Sequence, residues 1–223
     1  MLVFQEYNKL FAGFGDKSFD LEYVQRWGLS KDIPRQNLVL MKQTHSKEIM
    51  EVDEKHLGSG FTKDALETVD AIATNKKNIF LLIKTADCAP ILIYDPKREV
   101  VCAIHSGKVG TEKGILSASL EFLKKRFGCV YDELKVAIGP CISGRSYTAQ
   151  KQEFDRFVAN TKVNQDFPNI SIRKVLSKNL KDAKIKKSNI TLIPICTLED
   201  DSYNSFRENK TAKRQISFIG MLP

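Results

Sequence analysis

Long apolar segments are missing from this chain of 223 residues, and no run approaches the length that a helix needs to cross a bilayer. The first residues also lack a basic head followed by an apolar core, so we expect no signal peptide, no membrane partner and a cytoplasmic location. Repeats, low-complexity tracts and linkers are absent as well. We therefore predict a single domain over residues 1–223, long enough to bury a full core.

Paired cysteine motifs are also missing. The five cysteines are odd in number, widely spaced and without a C-x-x-C motif, which argues against a disulfide framework. Cys102 and Cys196 fall inside apolar strand patterns, where cysteine is typically a small buried side chain.

Acidic residues are outnumbered, with 27 Asp and Glu against 35 Lys and Arg, for a net charge of +8. The densest basic segment covers residues 173–187, where apolar residues recur at helical spacing. Its lysines then occupy the outer face of an amphipathic helix. Because no aromatic residues interleave the charges as a base-stacking surface requires, we expect no nucleic-acid partner.

The remaining patterns predict helices alternating with strands. Helices are predicted over 18–28, 111–127, 149–158 and 173–187, and strands over 1–6, 37–42, 70–74, 79–83, 134–138, 189–196 and 214–221. A turn is predicted at 12–15. This order, with too many hairpins for a Rossmann fold, predicts a mixed α/β class.

One stretch carries most of the chemistry. Two β-branched runs, 91–94 and 100–104, flank Asp95-Pro96 and predict two strands joined by a tight connection. Cys88 stands before the first run and His105 after the second. An antiparallel hairpin would bring both side chains to one rim of a sheet. His45 also follows a predicted strand, whereas His56 lies in a charged segment and is predicted to be a surface residue.

A cysteine and two histidines at strand ends allow more than one function. Thiolate and imidazole are good ligands for zinc or copper. Cys88 and His105 could also form the pair of a metal-independent cysteine hydrolase. A third alternative is a metal-binding or partner protein without catalysis. The spacing of the three residues matches no short zinc motif, so the residues alone leave these alternatives open.

Five blocks in order resemble the YfiH-like family, also called the laccase-domain, polyphenol oxidase or purine nucleoside phosphorylase family. The resemblance runs from about Phe14 to the end of the chain. The blocks are Gln43-Thr44-His45, VDAIATN, KTADCAPILIYDP, AIHSGKVGTEKGIL and AIGPCISGRSYTA.

The resemblance implies a four-layer α-β-β-α sandwich with mixed sheets. It also implies that His45, Cys88 and His105 bind one zinc ion, or copper in some members. The activity implied is phosphorolysis of adenosine, inosine, guanosine or 5′-methylthioadenosine, so the expected partners are a purine nucleoside and phosphate. Adenosine deamination and copper-dependent phenol oxidation are further activities attributed to the family, and we expect a monomer or homodimer.

Two of these activities are less compatible with this chain. It has three histidines and no H-x-H pair, so at most one copper site can be built. Zinc deaminases use an H-x-E motif and a P-C-x-x-C pair. Here His45 is followed by Ser46-Lys47, and Pro140-Cys141 lacks the second cysteine, so deamination is expected to be minor.

The chain departs from the family where phosphate is expected to bind. Lys108 and Val109 replace the family's tryptophan and arginine after the second histidine, and Lys17 aligns with another family arginine. The resemblance leaves Lys17, Lys108, Arg207 and a helix opened by Thr111 as candidate phosphate contacts. Without the arginine at position 109, phosphate affinity is expected to be poor.

Two further polar residues are candidates at the site. Asp87, beside Cys88, is predicted either to orient a ligand or donate a proton, or only to stabilise a turn. Gln43 is predicted either to hydrogen-bond substrate or to cap a strand end.

Overall fold

The computed structural model describes residues 1–29 and 33–223. Ten strands are present in this part of the chain: β1 (Leu10–Phe14), β2 (Leu38–Leu40), β3 (Ile49–Glu51), β4 (Ala71–Thr74), β5 (Phe80–Thr85), β6 (Ala89–Asp95), β7 (Val100–Ser106), β8 (Lys135–Ile138), β9 (Ile190–Leu192) and β10 (Gln215–Met221). The α-helices of the same residues are α1 (Leu21–Leu29), α2 (Lys108–Glu112), α3 (Ile115–Phe127), α4 (Lys151–Thr161), α5 (Ile172–Asp182) and α6 (Phe206–Asn209).

The described strands form two mixed sheets. A four-stranded sheet has the order β1-β10-β5-β2, in which β2 and β5 are parallel and the other pairs antiparallel. A six-stranded sheet has the order β3-β4-β7-β6-β8-β9, in which β3–β4 and β8–β9 are the parallel pairs. The chain passes repeatedly between the sheets, since sequence neighbours such as β2 and β3 belong to different ones.

Alternating strand side chains build the layers. In β5, Leu81 and Ile83 point into the core between the sheets, where they join residues of the second sheet such as Leu92. Phe80 and Leu82 point the other way, into a cluster that includes Val24 of α1. The outer face of the six-stranded sheet packs against buried residues of α3 and α5, namely Leu116, Leu120, Leu176 and Leu180. The result is the expected four-layer α-β-β-α sandwich.

The N-terminal predictions were wrong. The first strand is β1, at residues 10–14, where a turn was predicted from Gly13. Residues 1–6, predicted as a strand, contribute only an isolated bridge between Leu2 and Gly13. Glycine is required at position 13 of this strand because a Cβ there would lie 2.8 Å from the Met1 carbonyl oxygen. It therefore marks a close backbone approach rather than a turn.

Two helix boundaries and one strand also differ from the predictions. The helix predicted to begin at Thr111 is split by Gly114, whose φ of +79° ends α2 and opens α3. The lysine-rich helix α5 ends at Asp182 instead of residue 187, and β9 covers only residues 190–192 of the predicted 189–196. The amphipathic prediction for α5 is confirmed, since Ile172, Val175, Leu176 and Leu180 are buried. No helix among residues 1–29 and 33–223 combines the length and hydropathy needed to span a membrane.

Candidate functional site

The central hairpin brings Cys88 and His105 to one rim, as predicted. β6 and β7 pair antiparallel with Ala89 opposite Ser106 and Pro90 opposite His105. Cys88 directly precedes β6, and His105 is the second-last residue of β7. The β-branched residues of both strands are fully buried, which fixes the register and therefore the position of the rim.

His45 reaches the same rim from the loop that connects β2 to β3 across the two sheets. It adopts a left-handed backbone conformation, with a φ of +58°. Its Nε2 lies 3.8 Å from the Cys88 sulfur, and its ring centroid lies 4.9 Å from that of His105. The nitrogen and sulfur ligand atoms of His45, Cys88 and His105 all lie within 4.8 Å of one another.

Asp70 organises this cluster and was missed in the sequence. It is fully buried just before β4, and its Oδ1 lies 2.7 Å from His105 Nδ1. The same carboxylate accepts backbone N–H bonds from Thr44, His45 and Ser46, at 2.6–3.1 Å. One side chain therefore orients His105 and holds the loop that carries His45. The sequence signal was an acidic residue directly before a buried strand, in the block VDAIATN.

Contacts within the site shift the pKa values of Cys88, His105 and Asp70. Burial opposes ionisation of Cys88, but the charge of His105 and hydrogen bonds from His105 and His45 lower the pKa of the thiol to about 6. Burial also disfavours charged His105, but Cys88 and Asp70 raise its pKa to about 9. Burial alone would raise the pKa of Asp70, but hydrogen bonds from His105 and Ser46 outweigh it and hold this pKa well below its usual range.

The trio fits a metal ion. Ligand atoms of a tetrahedral zinc site lie roughly 3.3–3.8 Å apart, given bond lengths near 2.0–2.3 Å, and the three atoms, all within 4.8 Å of one another, would reach that range by moving about 1 Å or less. Because Nδ1 of His105 is hydrogen-bonded to Asp70, its Nε2 is left to bind the ion, in the carboxylate–histidine–metal arrangement. Gly107 leaves room beside the cluster, because a Cβ there would lie 2.7 Å from the His45 ring and 2.8 Å from the Cys88 sulfur.

His56 lies outside this cluster and is not the surface residue predicted. Its side chain is only 16% exposed and faces Asp53 at 2.9 Å. The two form a reciprocal capping box on a short 3-10 helix. Its role in the described structure is therefore local.

A cavity of about 660 Å³ opens onto the trio, a volume within the usual range for small-molecule sites. Its walls combine two aromatic rings, Tyr147 and Phe206, with several cations. The basic residues that line it are Lys42, Lys84, Lys108, Arg207, Lys210 and Arg214. Burial raises the pKa of Tyr147 to about 12, so this hydroxyl stays protonated near neutral pH.

Asp87 and Gln43 line the cavity but use their polar atoms elsewhere. Asp87 has a φ of +81°, and its carboxylate accepts from the Thr197 hydroxyl at 2.8 Å and from the Arg207 backbone N–H at 2.6 Å. Gln43 forms hydrogen bonds with both the N–H and the carbonyl of Lys84, at 2.8 and 2.7 Å. These contacts favour the turn-stabilising interpretation of Asp87 and the capping interpretation of Gln43.

The residues predicted to contact phosphate are dispersed. Lys17 is exposed outside the cavity lining, where its ammonium donates to the Asp201 carbonyl. Lys108 lines the cavity but forms an ion pair with Glu153, and Arg207 donates to the Thr148 carbonyl. Thr111 does not open a helix: α2 begins at Lys108, and the Thr111 N–H already donates to Gly107. Local patterns in the sequence do not predict these partners, because Glu153 and Asp201 are distant in the chain from Lys108 and Lys17.

Comparisons with known proteins agree with this fold. A relative from Bacillus subtilis named purine nucleoside phosphorylase YlmD is 29% identical over 199 residues, 83% of this chain and 71% of that protein. A Clostridium acetobutylicum relative named purine nucleoside phosphorylase is 30% identical over 187 residues, 80% of this chain and 75% of that protein. A third, from Bacteroides thetaiotaomicron and also so named, is 35% identical over 149 residues, 66% of this chain but only 53% of the relative.

Solved structures show the same architecture. The hypothetical protein YfiH of Bacillus licheniformis superposes with a TM-score of 0.89 at 25% identity, over 99% of this chain and 96% of that one. YlmD from Geobacillus stearothermophilus superposes with a TM-score of 0.87 at 23% identity, over 96% of this chain and 93% of that one. The family described as multi-copper polyphenol oxidoreductase laccase matches residues 13–222. The chain therefore belongs to this YfiH-like, laccase-type family.

Proposed function

We propose that the protein is a zinc-dependent purine nucleoside phosphorylase acting on adenosine, inosine, guanosine or 5′-methylthioadenosine. The observation that carries the proposal is the trio of His45, Cys88 and His105 at a cavity with both aromatic and cationic walls. The names of the relatives support the same activity.

His45, Cys88 and His105 would hold the ion, and a zinc ion bound there would supply Lewis-acid chemistry or an activated water. Copper is the alternative metal, since thiolate and imidazole also bind it. Asp70 contributes by fixing the ring orientation of His105 through the 2.7 Å bond to Nδ1. It also anchors the loop carrying His45, so the ligand set is pre-organised.

In phosphorolysis a phosphate oxygen bonds to ribose C1′ while the bond from C1′ to the purine nitrogen breaks. The products are ribose 1-phosphate and a free base, and the departing nitrogen takes up a proton. Tyr147 and Phe206 offer aromatic faces for the purine ring, and the net positive charge of the cavity walls favours entry of the phosphate. Adenosine deamination would be at most a side activity.

A cysteine hydrolase is the second candidate, favoured by a specific contact. Asp70 contacts His105, and His105 in turn contacts the Cys88 thiol, whose pKa is near 6. The position of His45, 3.8 Å from the same sulfur, favours the metal, because a hydrolase needs no second imidazole there.

Metal analysis of the Cys88→Ser variant separates the two candidates. We expect about one zinc per chain in the purified protein and clearly less in the variant, because a hydroxyl is a harder and far less acidic ligand. Cys196→Ser is the matched control, since this thiol lies outside the trio and accepts from the Ser143 N–H. Full metal retention in Cys88→Ser together with lost activity would support the hydrolase instead.

A further inference from the structure

The cavity beside the trio carries far more positive than negative charge. Six basic residues line it, whereas Asp87 supplies the one carboxylate among its described lining residues. That carboxylate is already engaged by Thr197 and by the Arg207 backbone. The field inside the cavity therefore favours an anion.

Two of these cations form ion pairs with carboxylates, and a third binds a backbone carbonyl and an aromatic ring. Lys108 forms an ion pair with Glu153, and Lys42 lies 3.2 Å from Glu67. The Arg207 guanidinium donates to the Thr148 carbonyl and lies 5.1 Å from the centre of the Tyr147 ring. These three have less capacity left for a ligand.

Lys84, Lys210 and Arg214 differ from Lys42 and Lys108, which are paired with carboxylates. Among residues 1–29 and 33–223 no carboxylate forms an ion pair with any of them. Lys84 lies in β5 opposite Ile216 of the neighbouring β10, two residues from Arg214, so the two cations share one end of the sheet. Lys210 and Arg214 both lie over the Phe206 ring, at 4.9 and 5.7 Å from its centre.

The arrangement is held in place before any ligand binds. Arg214 donates through Nη1 to the carbonyls of Thr211 and Lys213, at 2.6 and 2.7 Å. Gln43 pairs with the Lys84 backbone, two residues before the ligand His45. Lys84 is half-buried, and both its burial and the charge of Arg214 lower its pKa. Close like charges without a counter-charge are unfavourable, and a bound anion would relieve this repulsion.

We propose that Lys84, Lys210 and Arg214 form an oxyanion subsite that binds the phosphate co-substrate beside the metal trio, an inference that rests on the proposed function. Lys84 and Cys88 are four residues apart, so the subsite lies within about 14 Å of the trio along an extended chain. Arg214 supplies a planar fork for two phosphate oxygens, and the lysines supply point charges. The subsite thus takes the role that the sequence assigned to Lys17, Lys108 and the start of a helix at Thr111.

The test measures binding of inorganic phosphate to the zinc-loaded protein by calorimetry, together with the KM values for phosphate and adenosine. Lys84→Met and Arg214→Gln should each raise the phosphate Kd about tenfold or more, because a charge-assisted contact is lost. The KM for adenosine should stay within about twofold. Lys42→Met is the matched control, as a cation of the same cavity whose charge is already paired with Glu67, and it should leave the phosphate Kd nearly unchanged.

Folding of each variant is checked by its melting temperature. Lys210→Met is the third variant, and its phosphate Kd should also rise. Lys210 is exposed and lies outside the strands, so this substitution should leave the fold intact. An unchanged phosphate Kd in all three variants would overturn the subsite, even if phosphorolysis occurs. Phosphate binding that the variants weaken, in a protein without phosphorolysis, would uphold the subsite and refute the proposed function.

The phosphate could instead belong to a nucleotide substrate, so adenosine 5′-monophosphate is compared with adenosine. Tighter binding of the nucleotide than of adenosine, without any binding of inorganic phosphate, would overturn the co-substrate role.

Discussion

Asp70 is the residue on which the geometry of the site depends most. It connects His105 to the loop of His45 through one carboxylate, and it is fully buried. Asp70→Asn keeps the shape but replaces a charged acceptor with an amide, so His105 loses its charge-assisted bond and the loop loses part of its anchor. We expect a 10–100-fold weaker zinc affinity, measured by competition with a chelator.

Asp95→Asn is the control for this variant. Asp95 is also buried, at the other end of β6, where it accepts from the backbone N–H groups of Lys97 and Arg98. Its loss should lower the stability of the fold without changing zinc affinity. Equal loss of affinity in both variants would show that Asp70 acts only through stability.

Gly107 is the second residue whose substitution should disturb the metal ligands. A methyl group there would come within 2.8 Å of both the His45 ring and the Cys88 sulfur. Gly107→Ala should therefore displace one ligand and reduce zinc occupancy, measured by elemental analysis of the purified protein. Gly110→Ala is the control in the same helix. The added Cβ would have the Ser46 carbonyl oxygen, at 3.3 Å, as its nearest neighbour, so most of the zinc should remain. Full occupancy in Gly107→Ala would mean that the ligands adjust freely.

At the scale of elements, the sequence was informative where structure depends on local patterns. The hairpin of β6 and β7 was predictable because its β-branched runs and its Asp-Pro turn are local signals. The burial of α5 followed from helical spacing in the same way.

Other features depend on contacts between distant segments. Gly13 occupies a strand position where the Met1 backbone and the Phe218 ring leave no room for a side chain. The role of Asp70 depends on a loop 24–26 residues earlier in the chain and on His105, 35 residues later. No periodicity in the sequence reports such contacts, and the same holds for the partners of Lys108 and Asp87.

Helix α5 offers a test of the layered core. Leu176 is fully buried between this helix and the six-stranded sheet. Leu176→Ala should lower the free energy of unfolding by about 2–5 kcal/mol, measured by chemical denaturation, because it leaves a cavity. Leu192→Ala, at a leucine that is 42% exposed on β9, should change it by no more than about 0.5 kcal/mol. Similar effects at the two positions would contradict the placement of α5 over the sheet.

At the scale of the whole molecule, the described residues form one candidate metal cluster, although the family is described as multi-copper. The chain contains three histidines, and His56 is engaged by Asp53 away from the cavity. Among the described residues the trio is the single group of three or more His, Cys, Asp or Glu side chains able to hold an ion. Residues 1–29 and 33–223 therefore offer one site of this kind, and the proposed nucleoside chemistry needs no more than one metal ion.

Phosphate dependence tests the central proposal most directly. Zinc-loaded protein is incubated with adenosine over a series of phosphate concentrations, and the products are separated by chromatography. We expect free adenine and ribose 1-phosphate in equal amounts, increasing with phosphate and lost after removal of the metal. The phosphate requirement should be high, since Val109 carries no charge at the position where the resemblance to the family implies an arginine. Inosine formed at a rate independent of phosphate, with no free base, would contradict the proposal.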